Sequence, residues 1–284
     1  MVDGINILIT GADGQLGSSI NYISKAYDYN FHFKTKEELN IGDFPKLENL
    51  LKKLNISTVI NCAAYTDVEN SEKNNDLADL INYKYVKNLA RLCFILDIQL
   101  IHISTDYVFS GENKTEYKED DIPCPVNYYG LSKLKGENSI LDYDLRNSLI
   151  IRTSWLYSKS KNNFVQKIKL IDSEKIRVVD NEIGSPTNAL DLALAILKII
   201  PKIKNDKTEI YHFSNIGSCS RYELAVHIKK FLKKNFKIIP VNNYNSLAKR
   251  PKHAILNSNK FENNFKIKIK TWQESLDIFL KSNT

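Results

Sequence analysis

From residue 5 onward the chain alternates two hydrophobic rhythms. Runs that are apolar at nearly every position recur at INILIT (5–10), FHFK (31–34), TVINCA (58–63), QLIHIS (99–104) and LIIRT (149–153). Between them lie longer stretches, GQLGSSINYISKAY, FPKLENLLKKLN and DLINYKYVKNLARLCFILD, whose apolar residues return every three or four positions. The first rhythm suits strands buried on both faces; the second suits helices with one buried stripe. Strand, helix, strand repeated this way predicts an α/β fold, a Rossmann-type doubly wound parallel sheet with helices on both faces.

After residue 153 the pattern loosens. A helix NNFVQKIKLI is followed by a strand IRVV (176–179), a helix ALDLALAILKII, a strand IYHFS and a helix SRYELAVHIKKFLKK. Residues 237–284 add short strands and a last helix, TWQESLDIFLKS. The expected organisation is a Rossmann domain over 1–153, its sheet completed by parts of 174–215, and a smaller C-terminal lobe over 154–284 interleaved with it. No linker rich in Pro, Gly or Ser separates the two, so a shared interface with a ligand cleft is expected.

Composition narrows the class further. With 284 residues and 43% hydrophobic content the chain can bury a sizeable core. No stretch reaches the roughly 18 apolar residues of a membrane helix, and MVDGINILITG lacks a basic region followed by a long apolar segment. A cytoplasmic location is therefore expected, without a membrane partner. Cys62, Cys93, Cys124 and Cys219 are scattered, with no CxxC and no paired histidines at ligand spacing, so neither a disulfide framework nor a metal site is expected.

Charge is unevenly placed. Residues 1–150 hold 15 basic and 22 acidic side chains, whereas 151–284 hold 25 and 11. The basic run KKFLKKNFK (229–237) comes with no recognisable nucleic-acid-binding pattern, so it reads as a solvated helix face rather than a nucleic-acid footprint. A basic half can also hold a small polyanion such as the diphosphate of a sugar nucleotide.

The stretch ITGADGQLGSS places Gly11, Gly14 and Gly17 where the first strand passes into the first helix. Helix N-termini offer unpaired N–H groups and a positive dipole end to phosphate. Gly11 suits a tight turn, Gly14 a close approach of backbone to diphosphate, and Gly17 a tight seat for the helix. The first domain is thus expected to bind NAD(P).

The segment GADGQLG resembles the cofactor loop of the extended short-chain dehydrogenase/reductase family, which implies a catalytic Tyr-x-x-x-Lys on a helix. Three such pairs are present: Tyr83/Lys87, Tyr129/Lys133 and Tyr157/Lys161. Tyr83/Lys87 falls on a helix between the third and fourth strands, and Tyr157/Lys161 in a Ser/Lys-rich loop. Only Tyr129/Lys133 opens a helix shortly after the fourth strand, which ends in Ser104 and Thr105; a spacing of four sets the pair on one face. A phenol titrating near 10 needs its anion stabilised to act near neutrality, here by Lys133 and a nicotinamide ring. Tyr129 would then donate a proton to a ketone oxygen held by Thr105.

The segments STDYVFSG (104–111), NCAAYTDVENSE (61–72), YYGLSKLKGE (128–137), RTSWLY (152–157), VVDNEIGSPT (178–187) and AKRPKHAILNSNKF (248–261) together resemble the dTDP-4-dehydrorhamnose reductase family along essentially the whole chain. That resemblance implies reduction of the 4-keto group of dTDP-4-dehydro-6-deoxy-L-mannose to dTDP-L-rhamnose, for surface polysaccharide. It implies cofactor contacts from Gly11, Gly14, Gln15, Leu16, Gly17, Asp43, Phe44, Ala63, Ala64, Tyr65, Thr66, Ile103, Tyr129 and Lys133. Substrate contacts fall on Thr105, Asp106, Trp155 and Arg250, the last for the diphosphate.

Departures refine these expectations. Where many relatives carry an acidic residue for the ribose 2′-OH, this chain reads FKTKEE, and Lys34 and Lys36 favour NADPH, with NADH also usable. Some members dimerise through magnesium held by glutamates; Ser19 stands at one of those positions, which implies a monomer or a weak homodimer without a magnesium bridge. Glu182 replaces a glutamine common in relatives. Related dehydratases follow the threonine with an Asp-Glu pair, whereas here Asp106 precedes Tyr107. The alternatives are a related nucleotide-sugar ketoreductase making a different 6-deoxy sugar and a non-catalytic NADP-binding regulatory subunit.

Overall fold

Five of the expected strands form β1 (Asn6–Thr10), β2 (Asn30–Lys34), β3 (Thr58–Asn61), β4 (Gln99–Thr105) and β5 (Leu149–Thr153) in a computed structural model that describes residues 4–160, 163–243 and 245–282. The strand Glu209–His212 pairs with β5 and completes a six-stranded sheet, which runs from it through β5, β4, β3 and β1 to β2. Every pairing in it is parallel. From β1 the chain steps outward to β2, then returns to the other side of β1 for β3. Helices diverge at that reversal and leave a crevice beyond the carboxyl ends of the strands.

Alternation along β1 sorts the two faces. Ile7 and Ile9 pack with Ile20 of α1 (Gln15–Ile23) and with Leu192 and Ile196 of the helix Ala189–Ile199. Leu8 points the other way, to a layer containing Leu47 and Leu51 of α2 (Phe44–Lys53). Each such side chain contributes about 1.5–3 kcal/mol when fully buried. Helices on both faces of a parallel sheet are the doubly wound arrangement that the apolar strands predict.

The helix expected over 79–97 is interrupted. After α3 (Val68–Ser71) and α4 (Asn75–Asp79) the chain makes a π-helical turn over Leu80–Lys84 before α5 (Tyr85–Ile95). The turn aims the buried Asn82 amide at the loop after β3: its Oδ1 accepts from Tyr65 N at 2.8 Å, and its Nδ2 donates to Tyr65 O at 3.0 Å. Nδ2 also donates to Ser132 Oγ at 2.9 Å, on α6 (Tyr128–Leu141). Apolar periodicity carries no trace of this polar latch.

α6 is fixed at both levels. The Asn127 side chain caps it by accepting from Gly130 N at 2.8 Å, and Glu72 Oε1 accepts from Tyr128 N at 2.8 Å. One turn beyond Lys133, Glu137 takes Arg152 of β5 through Nε at 2.9 Å and Nη2 at 2.7 Å, with both side chains at most 2% exposed. Removing one partner of so buried a pair costs about 3–5 kcal/mol, because a charge is left without compensation.

The second part of the chain adds small sheets. Lys175–Val179, which contains the expected IRVV, pairs in parallel with Lys237–Val241 rather than joining the main sheet. Ile183–Gly184 lies between Cys219–Ser220 and His253–Ala254. The helices Arg221–Phe231 and Trp272–Lys281 each start from a capping box, at Ser220 and Thr271. A further short helix, Asn259–Phe265, was not apparent from periodicity. Among the described residues no helix is long and apolar enough to cross a membrane.

Candidate active site

A cleft of about 930 Å³ opens at the carboxyl ends of β1, β3, β4 and β5. Gly11, Gly14, Gln15 and Leu16 form one end. Gly11 has a φ of 60°, and a Cβ on it would lie 2.8 Å from Ala63 N, so the close approach of the β1 and β3 loops excludes any side chain. A Cβ on Gly17 would lie 2.4 Å from Gly11 O; Gly17 seats α1 against the loop itself and does not line the cleft. No side chain caps α1 at Gly14, so the helix N-terminus faces the cleft with its N–H groups available. Ala63, Ala64, Tyr65, Thr66 and Ile103 continue the wall.

Asp43 and Phe44 do not reach the wall. Asp43 caps α2 by accepting from Lys46 N at 3.2 Å, and Phe44 packs edge-on against Tyr85, 6.0 Å between ring centres. Tyr85 lines the cleft in their place, together with Leu39, Asn40 and Ile41. Of the two lysines after β2, Lys36 lines the cleft beside Glu37, whereas Lys34 contributes its carbonyl to Ala12 N at 3.1 Å.

Thr105, Tyr129 and Lys133 all line the cleft. The Thr105 hydroxyl donates to Asp106 Oδ1 at 3.0 Å, and Ser154 Oγ donates to Asp106 Oδ2 at 2.9 Å. Burial pushes the Asp106 carboxyl up to about 6, against the downward pull of Ser154, Thr105 and Arg221. Burial also raises the Tyr129 phenol well above its ordinary value, the opposing Thr105 hydroxyl being the smaller effect. Lys133 Nζ donates to Ile103 O at 2.7 Å. Burial brings Lys133 down to about 8, while Glu137 and Cys62 work the other way.

The remaining tyrosine–lysine pairs lie elsewhere. Tyr83 sits on the π-helical turn and Lys87 on α5, neither lining the cleft. Tyr157 is buried against Phe279 in an apolar cluster with Leu224, Ile228 and Trp272; Lys161 lies outside the described residues.

Trp155 walls the far end of the cleft with a φ of 44°, and Arg221 stacks 3.5 Å above its ring. Arg221 makes no ion pair among the described residues, and burial lowers its pKa. Arg250 is outside the lining, held by Glu69 Oε1 at 2.6 Å. Glu182 is raised by burial and faces both arginines. Sequence reasoning missed Arg221, which reads only as the first residue of a helix. It also missed Ser104 and Thr153, whose buried hydroxyls line the cleft with no hydrogen-bond partner among the described residues. Unpaired hydroxyls and an unpaired cation in a glycine-bordered cleft suit a polar, anionic ligand.

The four cysteines are free, and no group of three His, Cys, Asp or Glu side chains among the described residues is arranged to hold a metal ion. Ser19 donates to Gln15 O at 2.8 Å within α1.

A parallel sheet of this order, with its cleft at the first reversal, places the chain among the extended short-chain dehydrogenases/reductases, an oxidoreductase class. Residues 5–284 match the family described as RmlD substrate binding domain, and the chain belongs to that family. It is 35% identical to the spore coat polysaccharide biosynthesis protein SpsK of Bacillus subtilis, over 98% of both chains. It is 33% identical to the dTDP-4-dehydrorhamnose reductase of Aggregatibacter actinomycetemcomitans, covering 95% of this chain and 96% of that one. The crystal structure of dTDP-4-dehydrorhamnose reductase from Bacillus anthracis in complex with NADP superposes with a TM-score of 0.93 at 35% identity, covering 98% of this chain and 99% of that one.

Proposed function

We propose that this protein reduces the 4-keto group of dTDP-4-dehydrorhamnose with NADPH, giving dTDP-L-rhamnose for surface polysaccharide. The observation that carries this reading is the convergence of Thr105, Tyr129 and Lys133 on one cleft at the end of β4. The reductases similar to this chain, one of them solved with NADP, support the substrate and the cofactor.

The cradle fits a dinucleotide: Gly11, Gly14, Gln15 and Leu16 would hold the diphosphate at the α1 N-terminus, and Lys36 a 2′-phosphate. Ala63, Ala64, Tyr65, Thr66 and Ile103 would line its path, with Asp43 and Phe44 shaping the α2 side from behind. NADPH when bound supplies the hydride. Tyr129, kept neutral by burial, is in the form that can give a proton to the carbonyl oxygen as charge develops there. Thr105 holds that oxygen, Lys133 orders the site beside the phenol, and Trp155 and Asp106 confine the sugar. Arg221 is the cation best placed for the sugar-nucleotide diphosphate, with Arg250 flanking it.

The reading includes a cytoplasmic monomer or weak homodimer without a magnesium bridge and without a nucleic-acid partner. Free cysteines suit a reducing compartment, and the first turn of α1 carries no acidic residue to recruit a cation. Purified protein is expected to consume NADPH only when a 4-keto-6-deoxy sugar nucleotide is supplied, and the product is expected to be dTDP-L-rhamnose. A different 6-deoxy sugar would select the related ketoreductase, and saturable NADPH binding without turnover on any such sugar would select the regulatory subunit.

A further inference from the structure

Behind Lys133, three polar side chains cross the sheet in register: Thr10 on β1 opposite Asn61 on β3, and Asn61 opposite His102 on β4. All are at most 1% exposed, at a depth where parallel strands are ordinarily apolar. Thr10 Oγ1 lies 2.6 Å from Asn61 Oδ1, Asn61 Nδ2 lies 3.0 Å from His102 Nδ1, and His102 Nε2 lies 3.3 Å from Lys133 Nζ. Among the described residues the row ends on Lys133.

The donor and acceptor inventory allows this row to run in only two directions. With the Asn61 amide donating to Nδ1, a neutral imidazole carries its proton on Nε2, and that N–H points at Lys133 Nζ. An ammonium has no lone pair to receive it, so this direction requires the amine. An ammonium instead donates to Nε2 and leaves the ring proton on Nδ1. The Asn61 amide must then turn, its oxygen accepting from Nδ1–H and its NH₂ donating to the Thr10 hydroxyl, which can accept as readily as donate. Each direction matches a donor to an acceptor at all three contacts of the row; an ammonium facing Nε2–H would be a buried clash of two donors, and an amine, a strong acceptor and a weak donor, is better matched by Nε2–H than by a bare Nε2.

We propose that Thr10, Asn61 and His102 form a positioning array whose hydrogen-bond direction is coupled to the protonation state of Lys133, so that the tautomer of His102 follows whether this lysine is ammonium or amine. One proton leaves Lys133 for solvent through the cleft; the ring keeps a single proton throughout, on Nδ1 before and on Nε2 after. Nothing is oxidised or reduced.

The surroundings keep both states accessible. The groups facing Lys133 are Glu137 and Tyr129 on its own helix, Cys62 after β3 and His102 on β4; Arg152 on β5 is engaged by Glu137. Burial holds Lys133 down to about 8, and burial with the neighbouring Lys133 charge holds His102 well below its ordinary value, so the ring changes tautomer without becoming charged. The catalytic meaning rests on the proposed reductase activity: the array lets the lysine beside Tyr129 change charge without leaving a buried donor unpaired. The coupling itself does not depend on that activity.

The test is magnetic resonance on the full chain with histidine labelled at its ring nitrogens, from about pH 6 to about pH 10, a range that brackets the Lys133 value of about 8. The His102 signals are assigned by their loss in His102→Gln. The expected result is a ring that stays neutral while its proton passes from Nδ1 to Nε2 as pH rises, and that holds one tautomer across the range in Lys133→Met. A single tautomer throughout in the unmodified protein, or a tautomer change that survives in Lys133→Met, overturns the proposal. A second variant, Asn61→Asp, offers Nδ1 only acceptor oxygens when ionised, so the ring is expected to keep its proton on Nδ1 across the range. A change of tautomer that persists in folded Asn61→Asp also overturns it. None of these readouts requires turnover, so failure of the coupling and failure of the reductase reading are separable.

Discussion

The Arg221 guanidinium lies 3.5 Å above the Trp155 ring, and the ring occupies the space where a Cβ on Gly184 would sit, 2.6 Å from its Cε2. Trp155 is thus clamped between a cation and bare backbone while its own backbone is left-handed, at a φ of 44°. A bulky residue in that region stores about 1–3 kcal/mol of strain, which the surrounding packing must outweigh. The clamp holds an aromatic wall and a cation at fixed positions on the cleft.

Arg221→Met is therefore expected to raise KM for the sugar nucleotide by about 10–100-fold, the range that follows from about 1.5–3 kcal/mol for a hydrogen bond to a charged group. NADPH affinity is expected to stay within about twofold, since the glycine loop lies at the other end of the cleft. Steady-state kinetics with each substrate varied in turn checks this. An unchanged KM here, with a raised KM in Arg250→Met, would move the diphosphate to Arg250.

Tyr129→Phe removes the proton donor and keeps the ring that packs edge-on against Tyr107, 5.5 Å between centres. A fall in kcat of about 10²–10⁴ is expected, the usual contribution of a positioned acid. Fluorescence titration with NADPH should give an affinity close to that of the unmodified protein. Substantial turnover in this variant would show that another group delivers the proton.

Much of this architecture was legible in the sequence because it is written in period and punctuation. Apolar runs located the strands of the main sheet, and glycines at strand-to-helix spacing located the end of the cleft that Gly11 and Gly14 line. Position after β4 separated Tyr129/Lys133 from two other pairs of the same spacing. What was hidden depends on long-range partners. The π-helical turn exists because Asn82 bonds Tyr65 and Ser132, 17 and 50 residues away along the chain. Arg221 reaches the cleft through the long-range packing of the helix Arg221–Phe231, which no local pattern reports. The raised phenol of Tyr129 could not be foreseen from residue types, since burial rather than the nearby lysine sets it.

Lys36 is on the cleft wall and Glu37 beside it, so the 2′-phosphate preference rests on one cation with a carboxylate next to it. Lys36→Ala is expected to lower kcat/KM with NADPH by about tenfold, the loss of one partly exposed charge-assisted contact. The value with NADH should change little, and the ratio of the two, measured at one ionic strength, checks this. A parallel fall with both cofactors would mean that Lys36 supports the loop rather than the phosphate.

Asp106 gives a stability prediction whose sign is fixed by its surroundings. Burial lifts its carboxyl from 3.8 to about 6 in spite of the hydrogen bonds from Ser154 and Thr105. Between those two values the folded protein binds more protons than the unfolded chain, so this group's contribution falls as pH rises from about 4 to about 6, and above that range the buried charge is carried at full cost. The gap corresponds to about 3 kcal/mol. Asp106→Asn carries no charge at any pH and keeps oxygen and amide groups for Thr105 and Ser154, whose hydroxyls can donate or accept. Its stability relative to the unmodified protein is accordingly expected to improve by up to about 3 kcal/mol between about pH 4 and pH 7.5, as urea denaturation at several pH values would show, while turnover falls because the sugar loses its charged contact. Parallel stability profiles for the two proteins would place the Asp106 carboxyl back in its ordinary range and remove it as a buried charge held for function at the expense of stability.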